Sequence, residues 1–458
     1  MKNIKKIILI ASLVLTSLTA SAQGLGDAVY FSSLPEAATL NPALHGNNKL
    51  YFYFPLLGKF GANFNTSGFA WNDLVNQHPV YADSLQLDFN GFLDKLDDNN
   101  YFDLGVNNNL LGFGFALGKN HFTFDVSHSL EMRLNFSKGL FDLVANGTDC
   151  EGHSIDVFSD EIIGFTDYIS VSAGYSRDIN EKLTVGANLK LYLGLANIST
   201  ERADVKLDFN NDKISTMSDI VINTSNPYLR WNLTGNGAGE NIFSDGGFEQ
   251  DANLDLMKNM GFGFDLGASY KLNDAMEFSF ALVDVGFINW KSNATTIQSK
   301  HPNTPVEFSG IQSSFDNIGD DLNTYLEDLG DSLMYAFDLE TVEGNGYKTM
   351  VPTKIYLGYS WEFAKRNYLH ALYKGRFIAG KYENTLMVDY SFHAKWFQVS
   401  LGNTFASSLF NPNVFISLAD VFYIGASFAN SLNLAKTTGF AFYTGINIPI
   451  KAKAEKKE

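Results

Sequence analysis

Apolar and polar residues alternate along most of the chain. From Phe122 to Leu134 the even positions read Phe122, Phe124, Val126, His128, Leu130, Met132 and Leu134, while the odd ones read Thr123, Asp125, Ser127, Ser129, Glu131 and Arg133. A period of two is that of a strand with one apolar and one polar face, and helical spacing does not reproduce it. The same rhythm runs through Leu183 to Leu195, Ile355 to Phe363 and Phe440 to Ile450. Several runs exceed the roughly five or six residues usual in a soluble sandwich. They reach the roughly nine to eleven that a tilted strand needs to cross a bilayer. In hydrocarbon every backbone polar group must be paired, so such a sheet has to close on itself.

Fourteen candidate strands follow, at 49–66, 100–118, 121–136, 164–178, 182–198, 258–271, 275–290, 351–363, 367–378, 382–392, 396–406, 412–418, 421–429 and 437–450. If the first runs outward, the periplasmic turns include Lys119-Asn120, Leu272-Asn273-Asp274, Ala364-Lys365-Arg366 and Ala419-Asp420, all tight and polar. The long connections, 67–99, 137–163, 199–257 and 291–350, all fall at the other end. Short turns on one rim and long loops on the other are a property of bacterial outer-membrane barrels. The fold expected is therefore all-β, a transmembrane antiparallel up-and-down β-barrel of about fourteen strands. Alternating pieces in 199–257, such as Ala203 to Phe209, would extend strands above the membrane or add a hairpin, raising the count to sixteen. The break at Val283-Asp284-Val285-Gly286 predicts a bulge. His128 falls on the lipid face. Tyr51 to Phe54, Trp290, Trp361 and Trp396, near strand ends, suggest interfacial aromatic girdles.

Between Phe315 and Phe337 the spacing turns helical, with Ile318, Leu322, Leu326, Leu329 and Leu333 on one side and acidic residues elsewhere. A short acidic helix is expected in that extracellular loop. It would be a solvated cap on the barrel mouth or a docking surface.

Composition then narrows the setting. Hydrophobic types make up 45%, charged types 18% and aromatics 14% of 458 residues, and mean hydropathy is −0.07. Average hydropathy cancels because one face of each strand is apolar and the other is not. Past the N-terminus there is no apolar run long enough for a membrane helix. Lys2, Lys5 and Lys6, an apolar stretch from Ile7 to Leu18 and Ala20-Ser21-Ala22 read as a cleaved signal peptide over 1–22. Export follows, with the outer membrane as destination and outer-membrane lipid as the surrounding partner. A net charge of −17 opposes a nucleic-acid partner. Cys150, the one cysteine, excludes a disulfide framework and a thiolate zinc site.

Catalytic chemistry is not assembled by these residues. The eight histidines are scattered, with no pair at metal-ligand spacing and no HExxH, so no catalytic residue, metal ligand or cofactor is assigned. Acidic loops could hold calcium, but no full EF-hand loop is present. Asp125, Glu131 and Arg133 lie on the inward face, as lumen solvation or as a selectivity element. Gly112-Phe113-Gly114 and Gly261-Phe262-Gly263 alternate within strands and open no helix, which makes them packing glycines rather than phosphate loops.

Residues 23–48 are too apolar for a tag and too broken for a strand, and would fold into the lumen as a plug, with Asn41-Pro42 making a turn. Gly24-Leu25-Gly26 followed by Asn41-Pro42-Ala43-Leu44 resembles the hatch of the FadL-type long-chain fatty-acid transporters, although this hatch is shorter. Gly263 to Ala268, Val283 to Ile288 with Trp290, and Val351 to Gly358 resemble uncharacterised outer-membrane barrels of the same superfamily, which occur beside PorV-like secretion components. These resemblances imply a plug over 23–48, a barrel over 49–450 and a charged periplasmic tail over 451–458. They also imply a non-enzymatic function, the passage or uptake of a hydrophobic small molecule bound in an apolar lumen pocket. The alternative is an interaction component of secretion or cell-surface assembly, docking a secretion or surface protein.

Overall fold

Residues whose side chains alternate between lipid and lumen gain most when neighbouring strands keep the same inside–outside phase, and the chain takes that solution. The computed structural model describes residues 27–46, 48–53, 58–77, 84–146, 154–159, 161–210, 213–227, 229–230, 247–248, 255–309, 338–378, 380–406 and 410–451. The expected signal peptide, Gly24-Leu25-Gly26, the helix expected between 315 and 337 and the expected tail beyond Lys451 lie outside them.

Fourteen antiparallel strands form the barrel. They are β1 (Asn48–Tyr53 and Phe60–Thr66), β2 (Asn99–Leu117), β3 (Asn120–Ser137), β4 (Ile163–Asp178), β5 (Leu183–Asn210), β6 (Met260–Asn273) and β7 (Met276–Trp290). The second half comprises β8 (Tyr347–Met350 and Thr353–Ala364), β9 (Asn367–Ile378), β10 (Lys381–His393), β11 (Phe397–Phe405), β12 (Pro412–Leu418), β13 (Phe422–Ala429) and β14 (Gly439–Ile446 and Ile448–Lys451). Each pairs with its neighbours in the chain, and the seam closes where Leu50 lies opposite Ile450 and Phe60 opposite Thr444. No helix among the described residues is long and apolar enough to cross a membrane. The strands themselves cross.

Outward positions carry a continuous apolar belt. Phe113, Phe115, Leu189, Phe262, Phe278, Phe280, Leu357, Leu401 and Ile424 are among its exposed side chains. A belt on every side of the barrel far exceeds the apolar patches that a soluble surface tolerates. With the strands closed and the lumen polar, this is an outer-membrane barrel. His128 also points outward, where its Nε2 lies 2.6 Å from Asp167 Oδ1 on β4, so the two polar groups satisfy one another on the belt.

The 199–257 connection begins as an extension of β5, whose outer half pairs with Lys213–Ser225. Ala294–Ser299, Leu339–Glu343 and Ser154–Ser159 add to this hairpin above the barrel. It leaves the barrel itself at fourteen strands. Helix α1 (Lys138–Asn146) covers the connection after β3.

Two girdle assignments need correction. Trp361 and Trp396 are exposed, but Trp290 is fully buried and donates from Nε1 to Thr349 Oγ1 at 2.8 Å. Tyr51 and Tyr53 face inward, each lying opposite a glycine of β2, Gly114 and Gly112. The cause is the strand period: Tyr51 and Tyr53 share the phase of the lumen residues, and the glycines leave room for their rings. The same device recurs where Tyr423 and Tyr443 face Gly445 and Gly425 across β13 and β14.

Candidate lumen site and its N-terminal segment

Three features shape the lumen: wall glycines, a bulge and two ion pairs that span the barrel. The first lies on β5 and β6, where Gly186 and Gly267 are opposite one another in register. Their missing side chains leave a shallow floor on which Asn41-Pro42 rests. A Cβ at Gly186 would come 2.5 Å from the Pro42 carbonyl oxygen, and one at Gly267 2.9 Å from Pro42 Cδ. Here glycine serves close backbone approach.

The N-terminal segment, residues 27–46, consists of a 3-10 turn (Asp27–Phe31) and a short helix (Ala37–Leu40). Ala28, Val29, Tyr30 and Leu34 pack against Ala281, Val283, Tyr356, Leu372, Phe415 and Tyr443 of the wall. Asn41 is fully buried, and its Nδ2 donates to Tyr30 Oη at 3.0 Å and to the Phe280 carbonyl at 3.2 Å, while its Oδ1 accepts from Ala43 N at 2.9 Å. It ties the segment to itself and to the wall at once. Pro42 supplies the turn, Ala43 is buried, and Leu44 packs on the edge of the same apolar cluster.

Polar contacts complete the seat. Lys374 donates to Asp27 at 2.8 Å, Tyr30 Oη to Ser279 at 2.9 Å, and Asn447 Nδ2 to Glu36 Oε2 at 2.8 Å. Glu36 is fully buried, and burial raises its carboxyl above the usual range, opposed in part by the Asn447 amide.

Above the segment the lumen is polar and charged. Asp125 accepts from the Tyr53 hydroxyl and from Asn109 Nδ2. Arg133 of β3 forks onto Asp103 of β2, at 2.6 and 2.7 Å, and reaches Glu383 of β10 at 2.7 Å. Glu131 of β3 accepts from Arg376 of β9 at 2.7 Å. Strands β9 and β10 do not adjoin β3, so these two arginine–glutamate pairs are struts across the lumen. Lower down, Asp284 bonds Lys190 of β5 at 2.6 Å and Lys354 of β8 at 2.9 Å. The bulge places it there: Val283 and Asp284 together oppose Asp265, and Asp284 takes φ +60°.

Cavities lie on both sides of the struts. One of about 580 Å³ sits toward the long loops, bounded by Arg133, Glu161, Asn197, Val351, Arg376 and Ile378. Two smaller ones, about 150 and 120 Å³, lie between the struts and the segment, beside Lys59, Glu131, Asp125 and Tyr356. Each combines aromatic or aliphatic surface with charge, so the expected apolar pocket is in fact an amphipathic one. The strut partners Arg376 and Glu383 lie about 250 residues from β3 in the chain, and no local pattern marks them. Asp284 did leave a signal, the break in alternation.

A sequence profile of known families matches residues 42–426. The chain belongs to DUF5723, a family of unknown function. A search of curated proteins finds no match to this DUF5723 chain. Among solved structures it is similar to the Pseudomonas putida toluene transporter TodX, at 10% identity over 91% of this chain and 97% of that one, with a TM-score of 0.40. It is also similar to a Pseudomonas aeruginosa FadL homologue, at 12% identity over 92% and 94% of the chains, with a TM-score of 0.40. The Ralstonia pickettii toluene transporter TbuX aligns at 10% identity over 90% and 93%, with a TM-score of 0.35.

Proposed function

We propose that the protein is a gated outer-membrane passage for hydrophobic small molecules that carry an anionic end, fatty acids being the simplest such class. The observation that carries this reading is the pair of lumen-spanning struts. Arg133 and Arg376 reach from opposite walls beside a cavity of about 580 Å³, within the usual range for small-molecule sites. An entering carboxylate can exchange with Glu383 or Glu131 for an arginine, since guanidinium and carboxylate match as two-point partners. The apolar body then lies against Ile198, Val351 and Ile378. Below, residues 27–46 act as the plug: their contacts are with the wall, so the segment can shift while the barrel stays closed.

Exported after signal-peptide cleavage, the barrel carries its ligand inward when struts and plug yield in turn. The test is uptake of labelled fatty acid by liposomes holding the purified protein. Uptake should exceed that of empty liposomes, rise when residues 27–46 are deleted, and fall when Arg133 and Arg376 are both replaced by methionine. Uptake equal to that of empty liposomes in wild-type and deleted protein alike would overturn the proposal.

A further inference from the structure

We propose that His45, His121 and Asp178 form a site for a divalent first-row transition metal, zinc being the ion it fits, that ties the N-terminal segment to the short-turn rim of the barrel. His45 comes from the segment, His121 from the start of β3 and Asp178 from the end of β4. In sequence they are far apart; in space their ligand atoms all lie within 4.8 Å of one another.

The spacing is that of a coordination shell. Zinc holds nitrogen and oxygen at roughly 2.0–2.1 Å, so neighbouring ligands of a tetrahedral ion lie about 3.3 Å apart, the bond length times about 1.63. His45 Nε2 is 3.2 Å from Asp178 Oδ1, and His121 Nε2 is 3.5 Å from Oδ2. The two distances run to different oxygens of one carboxylate, so Asp178 would take the ion through one oxygen, with the second imidazole closing in on it. His121 Nε2 is buried and has no hydrogen bond of good geometry, its nearest polar partner being Asp178 Oδ2.

The surroundings agree. The two imidazole rings stack with centroids 3.3 Å apart, closer than the roughly 5.2 Å of two rings on one tetrahedral ion, so binding would splay them while both stay beside the same carboxylate. Thr184 Oγ1 donates to Asp178 Oδ1 at 2.7 Å, orienting the carboxylate from outside. Beside the histidines is a cavity of about 10 Å³, near the size of a single water, walled by Pro35, Ala38, Phe115 and Phe122. It provides room for the ligand that completes four-fold coordination. Two imidazoles favour zinc and its neighbours over magnesium or calcium, which take oxygen shells.

That metal would hold the lumen shut rests on the reading of residues 27–46 as a plug; the site itself does not. The experiment uses the full-length protein, refolded in detergent, stripped with chelator and titrated with Co²⁺. Wild type should bind one equivalent, develop the intense visible band of tetrahedral cobalt, and lose it to added Zn²⁺. His45→Ala lies outside every strand and should weaken binding at least tenfold, as should Asp178→Ala, while Thr184→Ala costs about ten- to a hundredfold. Heat-dependent gel mobility checks that each barrel is folded, and His121→Gln serves where another variant is not. Absence of a stoichiometric band in wild type, or an unchanged band in His45→Ala, would overturn the site. Binding that leaves both protease protection of residues 27–46 and fatty-acid uptake unchanged would overturn the tie and leave the site standing.

Discussion

Replacing Arg133 by methionine tests whether the struts are closed, desolvated ion pairs or loose contacts in a wet channel. The guanidinium makes three charge-assisted bonds of 2.6 to 2.7 Å, two to Asp103 and one to Glu383, and lies 4.7 Å from the centre of the Tyr101 ring. Side-chain exposure is 6% for Arg133, 5% for Asp103 and 12% for Glu383. Methionine keeps the bulk but strands two carboxylates in that space. Removing one partner of a buried pair costs about 3–5 kcal/mol, most of it from the charge left behind. A triple variant, Arg133→Met with Asp103→Asn and Glu383→Gln, should recover all but about 1 kcal/mol of the loss, because exchanging a whole ionic cluster for neutral groups is often near neutral. The assay is urea unfolding of protein folded into vesicles, followed by tryptophan fluorescence. A loss under about 1 kcal/mol for the single variant would refute the argument, since that is the scale of a solvated pair.

Gly445→Ala should lower stability by about 1–3 kcal/mol, because its Cβ would come 2.5 Å from Tyr423 Oη and 2.6 Å from Cζ; Gly445→Ala with Tyr423→Leu should recover most of this in the same unfolding assay. Gly186→Val should unseat the N-terminal segment without opening the barrel, seen as faster protease cleavage within residues 27–46 at unchanged heat-dependent gel mobility. Seating should also depend on pH through Glu36. Its carboxyl is raised by burial, so seating favours the neutral form; the contribution is complete below the ordinary value of 4.5 and declines as pH rises from there through the folded value. Protease protection should fall over that window, and Glu36→Gln should make it independent of pH.

The barrel was legible because its determinant is local: a two-residue period read strand by strand yields all fourteen strands and the alternation of short and long connections. Where phase alone decided, as for the lumen-facing Asp125, Glu131 and Arg133, counting from Phe122 sufficed to choose a face. Failure came wherever distant chain segments meet. Trp290 looked like an interfacial residue by its place near a strand end, yet the room made by Gly194 on β5 lets it turn inward. Neither Arg376 and Glu383 nor the His45, His121 and Asp178 group has a sequence signature, because closure of the barrel, not spacing, brings each set together. The hairpin above β5 was half visible, since alternation showed strand but not which strand it would pair with.

The N-terminal segment is made first and finished last. Asp27 needs Lys374 of β9, and Glu36 needs Asn447, at the break within β14 and 411 positions further on. Such contacts are among the most non-local a chain can form, and the second cannot exist until the final strand is in place. A seated segment is therefore a record that assembly is complete, and a barrel still open at its seam has nothing for Glu36 to hold. A barrel that fails to close would leave residues 27–46 without the wall contacts that seat them.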